Sequence, residues 1–444
     1  MKKEIFKAYD IRGIYPSEID EADAYAIGRA VVLHLNPNVV GVGRDVRSSS
    51  PSLFESFTRG IMDGGANIID LGIITTPMVY FAAGRLDIDV AISITASHNP
   101  PQYNGMKIAL RGALPVGEHT GLSDIRDIAV SEDFPPVESK GSLQTEDIKP
   151  AYYGYFASFA DFDTSQFSLV IDTANAMGVY ELPIYEQFPE QLSLTYLYND
   201  IEKAFDCHEA NPLNVETLVE LQAEVRAVGA HLGIAYDGDA DRIGFVDELG
   251  VVIPMDLITG LLARTILEKR PGSTILYDLR SSRAVKEVIE ENGGVAMECK
   301  VGHANIKRQM RETGAIFAGE LSGHYYFEEN SFAEAGTLPA LLLLNLMAKT
   351  GKPMSELVAE IKRYQHSGEI NSKVEEKDRV LAELKIKYAD GSQHELDGLK
   401  VNYPTWWFNV RASNTEPLLR LNLEAETEAE LKERTAELLS IIRG

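Results

Sequence analysis

Three short runs, far apart in the chain, carry residue types that together could move a phosphoryl group. Thr95-Ala96-Ser97-His98-Asn99-Pro100 sets a hydroxyl beside an imidazole. Asp237-Gly238-Asp239-Ala240-Asp241-Arg242 sets three carboxylates at alternate positions beside a guanidinium. Arg411-Ala412-Ser413-Asn414-Thr415-Glu416-Pro417 is a cationic, hydroxyl-rich turn suited to an anion. A nucleophile, a hard-metal cluster and an anion pocket are the parts that phosphoryl transfer needs.

The apolar run from Val90 to Ile94 reads as a buried strand that delivers Ser97 to its carboxyl end, where ligands bind in open α/β sheets. A serine hydroxyl needs a base or a metal to become nucleophilic. His98 is adjacent, but neighbouring loop side chains often diverge, so no Ser–His dyad is assumed. The absence of a Gly-x-Ser-x-Gly elbow around Ser97 argues against acyl transfer. Taken by itself, the run reads also as an ordinary strand-to-loop turn.

The Asp run lies between two strand-like segments, Gly233 to Tyr236 and Ile243 to Asp247. Carboxylates at alternate positions face one side of an extended loop, and three hard oxygens suit Mg²⁺. A calcium loop of the EF-hand type would need glycine where Arg242 stands. A solvated acidic turn is the plain alternative, disfavoured because aligned carboxylates repel without a cation. Gly319-Glu320-Leu321-Ser322-Gly323-His324 is an exposed polar loop able to grip sugar hydroxyls, or simply a turn. Arg411, Ser413, Asn414 and Thr415 offer the donors of a phosphate cradle.

These runs need a scaffold, and a weak internal repeat supplies one. Val39 to Asp45, Leu169 to Asp172 and Thr274 to Asp278 each read as a buried strand ending in aspartate. Each is followed by a helical pattern and a second apolar run. Strand, helix, strand, three times, predicts three related α/β domains with parallel sheets, although any α/β protein gives such matches. The last segment differs. Trp406 to Arg411 and Leu418 to Leu423 look like paired strands around the cationic turn, and Thr427 with Glu430 makes a capping box for a final helix. The predicted organisation is therefore α/β domains over 1–142, 143–250 and 251–366, plus a C-terminal α+β domain over 367–444.

A net charge of −25 over 444 residues lacks the basic footprint of nucleic-acid binding. An anionic substrate must then be held by local positive charge. Two cysteines, Cys207 and Cys299, suit a reducing cytosol. The start of the chain has no apolar run after its charges, so no signal peptide is expected. The apolar run from Pro339 to Ala348 is too short to span a bilayer and reads as a buried helix. A soluble, cytoplasmic protein is expected, with no membrane partner.

The four runs, in this order and spacing, resemble those of the α-D-phosphohexomutases, most closely the phosphomannomutase/phosphoglucomutase branch. The similarity spans nearly the whole chain, from Tyr9-Asp10-Ile11-Arg12-Gly13 to the turn at Arg411. It implies four domains around a central cleft, three related mixed α/β domains plus a C-terminal α+β domain, and a phosphoserine at Ser97. It implies Mg²⁺ held by Asp237, Asp239 and Asp241 together with the phosphorylated Ser97. Glu320, Ser322 and His324 would bind sugar hydroxyls. Arg411, Ser413, Asn414 and Thr415 would bind the phosphate that is not reacting. Tyr9, Arg12, His98, Lys107, Arg242, Arg280 and His303 fall where family members line the cleft, with Lys107 and His324 as candidate general acids or bases. The activity implied is interconversion of hexose 1- and 6-phosphates through a hexose 1,6-bisphosphate, by a monomer or homodimer. One departure is local: Ala333-Glu334-Ala335-Gly336 is less acidic than expected after the sugar loop. Leu321 fits the mannose/glucose branch better than phosphoglucosamine mutases. The alternatives kept are a phosphoglucosamine mutase, a metal-dependent phosphomonoesterase using Ser97, and a non-enzymatic sugar-phosphate or metal binder.

Overall fold

The computed structural model describes residues 1–412 and 417–444. Its first sheet contains β1 (Ile11–Ile14), β2 (Val39–Arg44), β3 (Asn67–Ile73), β4 (Val90–Ile94), β5 (Tyr103–Leu110), β6 (Leu114–Pro115) and β7 (Leu143–Thr145). The second holds β8 (Phe167–Asp172), β9 (Leu192–Leu197), β10 (Leu232–Tyr236) and β11 (Ile243–Asp247). The third holds β12 (Thr274–Asp278), β13 (Val295–Cys299), β14 (Phe317–Gly319), β15 (Tyr325–Phe327) and β16 (Ala333–Glu334). The fourth, all antiparallel, holds β17 (Gln365–Lys373), β18 (Ser392–His394), β19 (Leu399–Asn402), β20 (Trp406–Ala412) and β21 (Leu418–Ala425).

The repeat is real at the level of topology. The three mixed sheets share one core order, β5-β4-β2-β3, β11-β10-β8-β9 and β15-β14-β12-β13. In each, three parallel strands end in an antiparallel fourth. The aspartates that revealed the repeat share a job. A carboxylate oxygen of Asp45, Asp172 and Asp278 accepts the backbone N–H two residues on, at 3.0, 2.9 and 2.7 Å. These Asx turns end the first strand and fix the loop that follows.

β7 pairs in parallel with β3, so the first sheet reaches past residue 142. β17 begins at Gln365 and pairs with β21, so the fourth sheet starts before 367. The apolar run forms a buried helix, Leu338–Thr350, in a core shared by the first three sheets. Among the described residues, no helix is long and apolar enough to cross a membrane. The last helix, Glu428–Arg443, is capped at Thr427, whose side chain accepts from the Glu430 N–H. The box stays half-made, because the Glu430 carboxylate accepts from Thr405 instead, at 2.9 Å.

Candidate active site

A cleft of about 1410 Å³ is lined from all four sheets' domains. Tyr9, Arg12, Ser97, His98 and Lys107 come from the first, Asp241 and Arg242 from the second. Arg280, His303, Glu320, Ser322 and His324 come from the third, and Arg411 from the fourth. Ser413, Asn414 and Thr415 lie outside the described residues.

Ser97 follows β4 in a left-handed conformation, φ 52°. Its loop is pinned by Arg47, whose guanidinium donates to the carbonyls of Ser97, Asn99 and Pro100 at 2.7 Å and of Tyr103 at 3.1 Å. Arg47 is buried and held in turn by Asp45 at 3.0 Å. Gly238 lets the Asp loop approach, since a Cβ there would sit 2.2 Å from the Ser97 carbonyl oxygen. That closeness places the Ser97 hydroxyl 3.2 Å from Asp237 Oδ2 and 3.3 Å from His98 Nδ1. Neither Arg47 nor the need for Gly238 was read from the sequence. The Arg44-Asp45-x-Arg47 spacing after a strand was the available signal.

The Asp loop is a turn, with Ala240 at φ 61°, and not the extended run that the alternation suggests. It nevertheless brings one oxygen each of Asp237, Asp239 and Asp241 within 4.8 Å of one another, all buried. Lys107 Nζ bridges Asp239 Oδ2 and Asp241 Oδ2 at 2.6 Å each. The second oxygens, Asp239 Oδ1 and Asp241 Oδ1, are buried without a hydrogen-bond partner. Two orphaned carboxylate oxygens beside a third carboxylate fit a small hard cation. Burial, then the neighbouring Asp241 and Asp239, holds the Asp237 carboxyl well above the usual range. Burial would also raise Asp241, but Lys107 and His324 draw it well below. Burial opposes the charge on Lys107, yet Asp239 and Asp241 keep its pKa well above normal.

Around this centre the predicted residues converge. The Arg242 guanidinium, helped by burial and Arg12, pushes the His98 imidazole down to about 2, so it is neutral. His324 is the opposite case: burial would lower it, but Asp241, 3.4 Å away, helps raise it to about 9. Its Nδ1 contacts Ser322 Oγ at 2.8 Å and Glu320 Oε2 at 3.3 Å. Burial works against the Glu320 charge too, yet His324 and then Arg280 hold its pKa well below normal. Arg280 is clamped by both oxygens of Asp278 at 3.1 and 2.7 Å. Arg12 donates to Asn99 and Asp10 at 2.5 Å each. Tyr9 and His303 meet edge to face, centroids 5.5 Å apart. Burial and Lys307 hold His303 well below its usual pKa. Glu334 was not predicted as a site residue. It forms a buried 2.6 Å ion pair with Lys307, and its carboxylate has ligand atoms within 4.8 Å of Asp241 and His324.

This four-domain architecture is matched by family models along the chain. They are described as phosphoglucomutase/phosphomannomutase alpha/beta/alpha domain I over residues 3–135, domain II over 150–250, domain III over 254–364, and the C-terminal domain over 369–441. A phosphomannomutase of Escherichia coli strain K12 is 37% identical over 454 residues, covering 100% of both chains. A phosphomannomutase of Salmonella montevideo is 36% identical over 450 residues, covering 99% of each. Among solved structures, a phosphoglucomutase/phosphomannomutase family protein of Burkholderia thailandensis superposes with a TM-score of 0.91 at 31% identity, covering 99% of this chain and 97% of that one. The chain belongs to the phosphoglucomutase/phosphomannomutase family. It is a hexose-phosphate mutase, an intramolecular phosphotransferase.

Proposed function

We propose that the chain interconverts the 1- and 6-phosphates of mannose, glucose or both, with Ser97 as the phosphoryl carrier. The observation that carries this reading is the Ser97 hydroxyl, 3.2 Å from Asp237, in a cleft that Arg411 of the fourth domain also lines. The carrier and the anion site thus face the same space, which a hexose bisphosphate would fill.

On this reading the first domain carries the phosphoserine, the second the metal loop, the third the sugar loop and the fourth the phosphate cradle. Asp237, Asp239 and Asp241, with a phosphoryl oxygen on Ser97, would hold Mg²⁺, which supplies charge neutralisation at the transferring group. Arg242, 3.7 Å from Asp237, adds a guanidinium to the same region. Glu320, Ser322 and His324 take sugar hydroxyls, and a protonated His324 is the group able to give up a proton there. Lys107 remains an acid/base candidate, though Asp239 and Asp241 hold its proton. Neutral His98, Tyr9, Arg12, Arg280 and His303 shape the sugar pocket. Arg411, with Ser413, Asn414 and Thr415, grips the phosphate that is not reacting.

The phosphoryl group passes from Ser97 to the free sugar hydroxyl. The hexose 1,6-bisphosphate turns over, and its other phosphate returns to Ser97. One cleft must therefore accept two orientations of the sugar, which a phosphate anchor on a different domain from Ser97 permits. The reading places the protein in the cytoplasm, as a monomer or homodimer. The test is incubation with glucose 1-phosphate, Mg²⁺ and a trace of glucose 1,6-bisphosphate. A mutase yields glucose 6-phosphate, a phosphatase yields free phosphate, and a binder yields neither. Rates on mannose, glucose and glucosamine phosphates then rank the substrates.

A further inference from the structure

The guanidinium of Arg411 is already engaged by carboxylates. Its Nη2 donates to Glu369 Oε2 at 2.8 Å, and its Nη1 lies 3.5 Å from Asp397 Oδ2. Glu369 also faces two further arginines, Arg280 Nη1 at 3.4 Å and Arg420 Nη1 at 3.6 Å. All five side chains line the cleft. Arg411 and Arg420 stand directly opposite each other in the β20–β21 register. Like charges so placed repel, and Arg280 brings a third positive charge from the neighbouring domain. Such a cluster needs an anion in the absence of substrate.

We infer that Glu369 is an internal stand-in for the substrate phosphate, and that a phosphate must displace it to take the Arg411 fork. This rests on Arg411 being the phosphate cradle. Either bidentate fork of the guanidinium, Nη1 with Nη2 or the unpartnered Nε with Nη2, uses Nη2, and a carboxylate cannot share Nη2 with a second anion without repulsion. The backbone leaves room for the exchange. The β17–β21 register shifts between His366 and Glu369. Gly368 there has φ 67°, with nothing within 4 Å of where a Cβ would stand. Such bulges re-aim the side chain that follows them. Glu369 is thereby a specificity-determining residue. A hexose phosphate, gripped also through its hydroxyls, outcompetes the carboxylate, whereas free orthophosphate has only the arginines to draw it in.

The test is competitive inhibition by inorganic phosphate against glucose 1-phosphate at fixed ionic strength. In Glu369→Gln the inhibition constant should fall by about tenfold, the effect of one like charge removed from beside the site. The gain should vanish in Glu369→Gln combined with Arg411→Ala. Glu369→Ala, checked for an unchanged melting temperature, should behave as Glu369→Gln does. An unchanged or raised inhibition constant would make Glu369 a mere scaffold for the fork and overturn the inference. So would a gain that survives removal of Arg411, because the phosphate would then be acting elsewhere. Failure of the cradle itself reads differently: Arg411→Ala alone would leave the KM of both hexose phosphates unchanged.

Discussion

The hydroxyl of Thr76 crosses a domain boundary to donate to Asp239 Oδ2 at 2.6 Å. The Thr76 N–H also reaches the Asp239 carbonyl, at 3.1 Å. Thr76 opens the helix Thr76–Arg85 of the first domain, and Ser93 supports its hydroxyl from 2.9 Å. With Lys107 on the same oxygen, Asp239 is turned so that Oδ1 alone remains for a cation. Partners of this kind orient ligands, and losing one typically costs about 10- to 100-fold in metal affinity or activity. Thr76→Val keeps the shape and removes the hydroxyl. The Mg²⁺ concentration for half-maximal activity should rise about tenfold or more, with little change in KM for the sugar phosphate, and Thr76→Ser should restore it. An unaltered Mg²⁺ titration in the valine variant would show that Thr76 does not orient Asp239.

Ser97→Ala should abolish phosphorylation of the protein by glucose 1,6-bisphosphate and lower turnover by about three orders of magnitude. The fold should survive, because the hydroxyl contributes only its contacts to Asp237 and His98, worth about 1 kcal/mol each, and Arg47 grips the loop through backbone carbonyls. Labelled bisphosphate and a melting curve check both halves. Wild-type turnover in the alanine variant would remove Ser97 as the carrier.

What the sequence made legible was local. Aspartates at three strand ends foretold three sheets because an Asx turn needs only its own neighbours, as Asp278 with the Arg280 N–H shows. Ser97, the Asp loop and the Glu320 loop stand out as short runs of chemically distinctive residues, and Ser97, Asp241 and Glu320 do line one cleft. What escaped notice depends on distant partners. Arg47 is a catalytic-loop clamp only because β2 and β4 lie side by side. Thr76 meets Asp239 across 163 positions. Glu334, in a run that looked like a departure from the family, is instead buried against Lys307 of the helix His303–Thr313. The half-made capping box failed for the same reason: Thr405, from another element, offered Glu430 a hydrogen bond that the helix end did not.

Arg411→Ala should raise KM for glucose 1-phosphate and for glucose 6-phosphate by similar factors, about 10-fold or more for a lost bidentate charge-assisted contact. On the proposed mechanism both phosphates use the same fork in turn, so one should not suffer without the other. Arg411→Lys should recover little, because an ammonium cannot present two parallel donors. Mg²⁺ dependence should stay near that of the parent, since Arg411 and the Asp loop belong to different domains. Steady-state kinetics in both directions decide it: harm to one substrate alone would mean the two orientations do not share an anchor.

Glu181 is buried where three domains meet, with no charged partner on its carboxylate among the described residues. It accepts hydrogen bonds from Thr75 at 2.8 Å, from Thr337 at 2.6 Å and from Tyr152 at 3.2 Å. These come from the first, third and second domains respectively. Burial outweighs the three hydroxyls and raises its pKa to about 7. The folded protein therefore holds this proton to higher pH than the unfolded chain does. The stabilisation is fully present below the ordinary glutamate range and is lost as the pH climbs through about 7. A shift of this size corresponds to about 3 kcal/mol. Wild-type stability should thus fall between pH 5 and pH 8 relative to Glu181→Gln, which offers the hydroxyls an uncharged partner at every pH. Denaturant unfolding of both proteins at several pH values across that interval measures the difference. Parallel stability profiles would show that Glu181 is already ionised in the folded state, and that the three hydroxyls are enough to carry its charge.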